Sequence, residues 1–313
     1  MPTRPADGSC ALSAIICTLD RADSLRRTLE TLAAQRVDAP WEVLVVDNGS
    51  RDGTGAMVRQ LAAAFPVPLR CVDEPVRGLA VARNTALDAA RGAALVFLDD
   101  DVDLAPGCLA EHARALGRGD VVLTAGRIVP RLPPDAPAFW EAILAEEVGG
   151  PTSRYDFGDA PREIVPGGPI PTPFGANMGV VREAARAAGG FRTDLGWGRG
   201  VVPGEETALF DRLLAAGGRG LYLPGAVVEH RIESRRTSLA YYARWYRGFG
   251  RSTIRLEGWP RGRRIRNAPR ELWRALRYRI RGRLLARRDP VRAFRHRRKA
   301  YTAEGRFLEA FRR

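Results

Sequence analysis

Apolar runs and helix-like segments alternate along residues 11–127, and this alternation predicts parallel strands joined by helices. Short runs rich in valine, leucine and isoleucine are typical of strands buried on both faces of a sheet. The predicted strands are Ala11–Cys17, Trp41–Val46, Leu69–Val72, Ala94–Leu98 and Val121–Val129. The expected fold class is therefore α/β, with a mixed, mostly parallel sheet flanked by helices.

The segments between these strands carry apolar residues at helical spacing. A helix is expected to begin at Asp23 or Ser24, either of which can cap its first turn. Another begins after Gly78 and reaches Arg91. Regular structure is also predicted over 182–188, 205–216 and 222–230. By contrast, Pro130 to Pro173 is dense in proline and glycine, and an irregular stretch of that length is uncommon unless it has a function.

Three consecutive aspartates, Asp99, Asp100 and Asp101, follow the fourth predicted strand. Open α/β sheets bind ligands at the carboxyl ends of their strands, so these side chains lie where a ligand is expected. Adjacent carboxylates repel one another unless a cation or hydrogen-bond donors compensate them. A divalent metal shared with substrate phosphates is one explanation. An acidic loop before a helix that begins at Pro106 is the other.

The turns after the first two strands narrow the class of ligand. The turn after the first strand, at residues 17–21, is not part of a G-x-G-x-x-G motif. This argues against a dinucleotide-binding domain and makes an oxidoreductase the weaker enzyme hypothesis. The second strand ends at Asp47 and Asn48. Their side chains can accept hydrogen bonds from a base or a ribose, or can simply form an Asx turn.

Charge divides the chain into two parts. From Arg235 to the end there are 26 basic and 5 acidic residues, a net charge of +21, whereas residues 1–234 carry −7. We therefore expect a body over 1–233 and a basic helical extension over 234–313. Within the extension, Leu272, Leu276, Ile280 and Leu284 recur every fourth residue among arginines.

Such a helix can lie on an anionic membrane, and an aromatic-rich helix over 241–249 precedes it. The alternative is that these apolar stripes pack on the body and the arginines are merely solvated. Cys10, Cys17, Cys71 and Cys108 show no metal-ligand spacing, which is typical of small core residues in a reducing compartment.

Residues 1–9 lack the apolar segment of a signal peptide, and no run approaches the ~18 apolar residues needed to cross a bilayer. The expected location is the cytoplasm, with peripheral contact at the inner face of the cytoplasmic membrane.

Six segments, in this order, resemble family 2 glycosyltransferases of the GT-A fold. They are "IICTLDRADSLRRTLETL", "WEVLVVDNGSRDGT", "RGLAVARNTALDAARGAALVFLDDD", "PFGANMGVVREAARAAGGF", "GWGRGVVPGEETALFDRLLAAG" and "VVEH". Together they cover residues 11 to 231. The resemblance implies a nucleotide-sugar donor at the carboxyl rim of the sheet.

The resemblance also implies roles for individual residues on the donor side. The positions that surround the base and ribose are Cys17, Leu19, Asp47, Asn48 and Arg83. An aromatic residue commonly stands where this chain has leucine, so stacking on the base is weaker here. The aspartates match the DxD motif: Asp100 contacts the ribose, while Asp101 with Asp99 coordinates a Mn²⁺ or Mg²⁺ that bridges the diphosphate. Asn177 matches a position near the donor sugar.

Two further matches concern the metal and the acceptor. His230 matches a third metal ligand, although a lone histidine at a strand end is more often structural; His112 and His296 are expected on surface helices. Glu205 and Glu206 match an "ED" motif whose second carboxylate deprotonates the acceptor hydroxyl. Glutamate replaces aspartate at that second position, which leaves Glu205 as the alternative base. Acidic residues in a first helical turn also serve the helix dipole.

These implications give a leading hypothesis and an alternative. The leading one is a metal-dependent, inverting glycosyltransferase with a nucleotide-diphosphate sugar donor and a lipid-linked, polysaccharide or cell-envelope glycan acceptor. Trp197 either stacks on the sugar or packs in the core. The segment from Trp197 to Gly200 and the 130–173 stretch are expected to shape the sugar and acceptor pockets. The alternative is a non-catalytic, transferase-like protein that binds anionic membrane or nucleic acid through its arginine-rich tail. Nothing in the tail resembles a nucleic-acid module.

Overall fold

The computed structural model describes residues 11–137, 139–146, 149–197 and 201–312. Its strands are β1 (Leu12–Thr18), β2 (Trp41–Asp47), β3 (Leu69–Asp73), β4 (Ala94–Leu98), β5 (Val102–Leu104), β6 (Val121–Arg131), β7 (Arg162–Ile164), β8 (Asn177–Val181), β9 (Gly196–Trp197), β10 (Val201–Val202) and β11 (Arg219–Arg231). Its helices are α1 (Ala22–Ala33), α2 (Thr54–Ala62), α3 (Leu79–Ala89), α4 (Cys108–Leu116), α5 (Phe139–Glu146), α6 (Arg182–Ala187), α7 (Glu205–Ala215), α8 (Leu239–Leu256), α9 (Arg261–Leu285) and α10 (Pro290–Ala310).

A nine-stranded mixed sheet forms the centre of the first of two compact units. Its order is β3-β2-β1-β4-β8-β6-β11-β5, and β7 pairs with β11. β1 to β4 are parallel to their neighbours in this group, as are β6 and β11, whereas β8 runs antiparallel between β4 and β6. The predicted α/β class with a mixed, mostly parallel sheet is confirmed.

The apolar runs form the buried strands of this sheet. β2 and β4 are buried along their whole length, which explains why β4 and residues 43–46 of β2 are continuously apolar rather than alternating. The buried Glu42 of β2 accepts hydrogen bonds from the Ser13 hydroxyl and the Arg91 backbone N–H. Helix α1 buries Leu25, Leu29 and Leu32 on one face.

The prediction that Asp23 or Ser24 caps α1 is wrong. The helix begins at Ala22, whose backbone N–H donates to the Asp52 carboxylate at 3.1 Å. The loop that follows β2 lies beside the loop that follows β1 because the two strands are paired. The cap therefore comes from a distant part of the sequence.

The first unit takes in residues up to 131, with 153–193 and 205–231, and the second takes in 132–152, 194–204 and 232–313. The second unit is mainly helices α5, α8, α9 and α10 around a core of large side chains. These are Trp140, Ile143, Tyr242, Tyr246 and Phe294. The described parts of 132–152 and 194–204 thus belong to the same unit as the C-terminal helices.

The 130–173 stretch contains more regular structure than its composition predicts. It holds helix α5 and strand β7. In the second unit, the Trp140 indole N–H donates to the Thr237 carbonyl at 2.9 Å. In the first, the buried Tyr155 hydroxyl donates to the Pro171 carbonyl at 2.6 Å. Two aromatic residues of the stretch are thus core residues, Tyr155 in the first unit and Trp140 in the second.

The described helices include none with the length and apolar character required to span a membrane. Cys17, Cys71 and Cys108 are free thiols in the described part of the chain, and Cys108 is fully buried. Cys10 lies outside the described residues.

Candidate active site

The three aspartates lie at the carboxyl end of β4, next to the end of β1. Strand β5 follows them directly and pairs antiparallel with β11, which places His230 opposite Val102. One ligand atom from each of Asp99, Asp101 and His230 lies within 4.8 Å of the others. The His230 Nε2 to Asp101 Oδ1 distance is 3.1 Å, and both residues are buried. The sheet therefore brings His230 next to two aspartates that lie more than 120 residues earlier in the sequence.

This donor set fits a divalent cation. Two carboxylates supply the hard oxygen ligands that Mg²⁺ and Mn²⁺ prefer, and imidazole is a common additional ligand for transition metals. Burial makes the negative charge of Asp101 costly without a positive partner. The residues predicted to hold a metal are thus close enough to share one.

Arg21 and Thr18 also contact the cluster, and the sequence patterns did not single them out. Arg21 lies 3.2 Å from Asp100 through Nε and 2.9 Å from Asp101 through Nη2. The Thr18 hydroxyl donates to Asp100 at 2.7 Å. Burial and the adjacent Asp101 raise the pKa of Asp100, and the Arg21 charge and Thr18 oppose that shift. Thr18 ends β1 and Arg21 lies in the turn after it, so pairing of β1 with β4 was the signal that could have identified them.

The glutamate pair begins helix α7, and a buried arginine from α3 binds it. Arg83 Nη1 lies 2.6 Å from Glu205 Oε1 and 3.7 Å from Glu206 Oε2. Burial alone would lower the pKa of Arg83, but the carboxylates of Glu205 and Glu206 raise it. A Cβ at Gly175 would lie 1.8 Å from Arg83 Nη2, so glycine at that position gives the guanidinium its space.

The two glutamates are not equivalent. Glu205 is buried and forms the short ion pair with Arg83. The Glu206 Oε2 atom is also buried, yet it accepts no hydrogen bond from any group in the described part of the chain. Burial and the charge of Glu205 raise the pKa of Glu206 to about 8, while Arg83 opposes the shift. Glu206 therefore presents a buried oxygen that has only the longer ion-pair contact with Arg83 and a raised affinity for a proton.

The charge of Asp99 also helps to raise the pKa of Arg83, after those of Glu205 and Glu206. Burial raises the pKa of Cys17 to about 12, so its thiol is protonated at neutral pH. Leu19, in the loop after β1, is 36% exposed. Arg83 thus binds the glutamates directly and feels the charge of Asp99.

Asp47 and Asn48 hold the backbone of neighbouring loops. The Asp47 carboxylate accepts from the Ser50 backbone N–H at 2.9 Å, as in an Asx turn. The Asn48 amide donates to the carbonyls of Glu74 and Val76 and accepts from the Gly78 N–H. These contacts fix the loop that leads into α3.

Asn177 begins β8 and pairs with Leu98, the residue before the aspartates. It is buried, donates to the carbonyls of Arg127 and Ala226, and lies 2.9 Å from His112 Nε2 through its Oδ1. These three contacts connect β8 to β6, β11 and α4.

The expectation that His112 lies on a helix surface is wrong. It is fully buried, and burial lowers its pKa to about 4. Helix α4 packs on the sheet, where the Thr124 hydroxyl lies 2.7 Å from His112 Nδ1. His296, on α10, is half-buried and stacks with Tyr278 at 5.7 Å between ring centroids.

Trp197 lies in the second unit, where its contacts are with helix α8. Its ring stacks on Tyr241 at a centroid distance of 6.1 Å, and the Arg244 guanidinium lies 5.7 Å from it. Residues 198–200, part of the segment predicted to shape a pocket, lie outside the described residues. The packing contacts of Trp197 are thus established, whereas contact with a sugar stays a prediction.

Comparison with known proteins gives a family match and several relatives. The model for "Glycosyl transferase family 2" matches residues 13–186. The succinoglycan biosynthesis protein ExoM of Rhizobium meliloti (strain 1021) is 30% identical over 235 residues, which are 73% of this chain and 69% of that protein. The uncharacterized glycosyltransferase YfnE of Bacillus subtilis (strain 168) is 40% identical over 103 residues, but these span only 26% of its length.

Among solved structures, the mannosyltransferase PcManGT from Pyrobaculum calidifontis, in complex with GDP-Man and Mn²⁺, is similar in fold. The TM-score is 0.63 and the identity 21%, and the match covers 97% of this chain and 88% of that chain.

Proposed function

Because the chain belongs to glycosyl transferase family 2 and has the GT-A fold, we propose that it transfers a sugar from a nucleotide-diphosphate donor to a hydroxyl acceptor. The observation that carries this proposal is the approach of Asp99, Asp101 and His230 to within 4.8 Å at the carboxyl rim of the sheet. ExoM is named for polysaccharide biosynthesis. The proposed acceptor is accordingly a polysaccharide, a cell-envelope glycan or a lipid-linked sugar, handled at the cytoplasmic face of the membrane.

On the donor side, Asp99, Asp101 and His230 would hold a divalent cation, Mn²⁺ or Mg²⁺. When bound, the cation would neutralise charge on the departing nucleoside diphosphate. Asp100, kept in place by Thr18 and Arg21, accepts from the ribose. Support comes from the Mn²⁺ and GDP-Man in PcManGT. The proposed walls of the base, ribose and sugar pockets are Cys17, Leu19, Asp47, Asn48, Arg83 and Asn177. Trp197 is a further proposed sugar contact that rests on the sequence resemblance alone.

On the acceptor side, Glu206 is the proposed general base. Its buried Oε2 takes the proton from the acceptor hydroxyl as the oxygen attacks the anomeric carbon. Glu205 holds Arg83, and Arg83 in turn limits the rise in the pKa of Glu206. Attack from the face opposite the diphosphate implies inversion at the anomeric carbon.

If Glu206 is the general base, kcat/KM should depend on pH in a predictable direction. Glu206 acts as a base only when deprotonated, and its raised pKa places the rise of kcat/KM with pH well above the usual range of a carboxyl group. Glu205→Gln removes the like charge that raises this pKa and frees Arg83 to pair with Glu206. The rise should therefore move to lower pH, which a kcat/KM profile measures. An unmoved or upward-shifted rise would contradict the assignment.

The donor can be identified with a panel of nucleotide sugars, each tested by thermal shift with and without Mn²⁺. One donor should raise the unfolding midpoint in the presence of Mn²⁺ and much less without it, because binding to the native state stabilises it. No shift with any donor, and no Mn²⁺-dependent hydrolysis, would indicate the alternative of a non-catalytic body.

A further inference from the structure

Helix α9 exposes a row of large apolar side chains along one face. Leu272, Trp273, Leu276, Ile280 and Leu284 are between 50% and 73% exposed. At about 100° per residue, these positions share one side of the helix. We call this set the α9 stripe. Contiguous apolar surface of this kind marks an interaction site more often than scattered single residues do.

The opposite side of α9 is the one that packs within the second unit. Its buried residues are Ala268, Glu271, Ala275 and Gly282. Gly282 lies against the Ala293 carbonyl and Arg297 of α10, where an added Cβ would be 3.2 Å from the Ala293 oxygen. The α9 stripe is therefore not part of the α9–α10 interface, and it is exposed in the described part of the chain.

The charges around the α9 stripe are predominantly positive. Exposed arginines border it on both sides, and they include Arg266, Arg270, Arg277, Arg281 and Arg283. Arg279 also borders it but pairs with Glu304 at 2.6 Å. The acidic residues of the extension are each held by a partner within it. Glu271, Glu304 and Glu309 pair with arginines inside the unit, Glu257 lies 3.8 Å from Arg306, and Asp289 caps α10.

We infer that the α9 stripe and its flanking arginines dock the protein on an anionic phospholipid surface, with α9 lying in the plane of the interface. The apolar residues enter the acyl boundary and the arginines bind the phosphate groups. Charge complementarity selects this occupant. A second copy of the chain would bring the same arginines against themselves, whereas an anionic leaflet neutralises them. The inference goes beyond the transfer reaction, and its test does not require activity.

The test is co-sedimentation of the full chain with equimolar phosphatidylcholine/phosphatidylglycerol vesicles. The native protein should bind, bind less as salt rises, and bind pure phosphatidylcholine weakly. Replacing Leu272, Leu276, Ile280 and Leu284 together by serine should weaken binding about tenfold or more, since apolar burial contributes alongside charge. The matched control replaces Leu239 and Leu308, exposed leucines of α8 and α10, by serine and should bind like the native chain.

Several outcomes would overturn the inference. One is failure of the native chain to bind anionic vesicles at low salt, and another is equal binding by the four-serine variant. Dissociation of a native dimer by that variant would assign the α9 stripe to a second copy. Tight binding to duplex RNA or DNA with no binding to vesicles would assign the arginines to nucleic acid. If the four-serine variant does not fold, Arg270→Gln/Arg277→Gln/Arg281→Gln must weaken vesicle binding and its salt dependence, or the inference fails.

Discussion

Replacing Glu206 by glutamine is expected to lower turnover by about 10²–10⁴, the usual range for loss of a general base. Glutamine keeps the size of the side chain but cannot take the proton of the acceptor hydroxyl. Donor affinity should change little, because the residues proposed to hold the donor diphosphate are the aspartates and His230. Steady-state turnover and calorimetric donor binding, measured on the same preparation, separate the two effects.

Glu205→Gln is the matched comparison, because it makes the same chemical change one residue away. Glu205 is already bound to Arg83 at 2.6 Å, so it is the poorer base. We expect Glu205→Gln to keep more turnover than Glu206→Gln and to show the pH shift described above. If instead Glu205→Gln loses 10²-fold or more and Glu206→Gln does not, the base is Glu205.

Replacing Asp101 by asparagine is expected to lower turnover by about a thousandfold or more. The variant keeps the volume of a buried side chain that contacts both Arg21 and His230. It removes the negative charge that a divalent cation requires. The loss of Mn²⁺ affinity should be visible as free Mn²⁺ in an electron paramagnetic resonance titration, while the thermal midpoint without metal stays close to the native value.

Asp103→Asn serves as the control for Asp101→Asn. Asp103 lies on β5 two residues further on and pairs with Arg231, outside the cluster of Asp99, Asp101 and His230. The Asp103→Asn variant should retain most of the native turnover and Mn²⁺ affinity. Equal losses in the two variants would mean that Asp101 acts by supporting the local structure.

The strands and the position of the aspartates were predictable because both depend on local pattern. Continuous apolar runs identify β1, β2 and β4, and the carboxylates follow the last of these directly. His230 could be proposed only through the resemblance to the family. Its approach to Asp101 depends on the antiparallel pairing of β5 with β11, which hydrophobic periodicity does not specify.

The features that sequence reasoning missed are long-range contacts of polar side chains. The contacts of Arg21 with Asp100 and Asp101 and the capping of α1 by Asp52 join residues on different loops. His112 occurs in a segment with the charge of a surface helix, yet it lies fully buried because Thr124 and Asn177 offer it partners on the sheet. Such partners become visible only when strand order is known.

The packing of the basic extension also could not be predicted from its sequence. The sequence left open whether its apolar stripes pack or face solvent, and the structure gives a different answer for each. The α8 residues Tyr242 and Tyr246 are buried in the core of the second unit, whereas Leu276 and Leu284 of α9 are exposed. Both helices carry large apolar residues in their sequences, so packing partners made the difference.

The activity proposed for this chain is a metal-dependent sugar transfer that uses Asp101 and Glu206. Release of nucleoside diphosphate from the identified donor, measured on chelator-treated protein before and after addition of Mn²⁺, tests it most directly. We predict negligible release without metal, recovery on adding Mn²⁺ to the native protein, and no recovery in Asp101→Asn. Undiminished release by the native protein or by Asp101→Asn in metal-free buffer would contradict the claim.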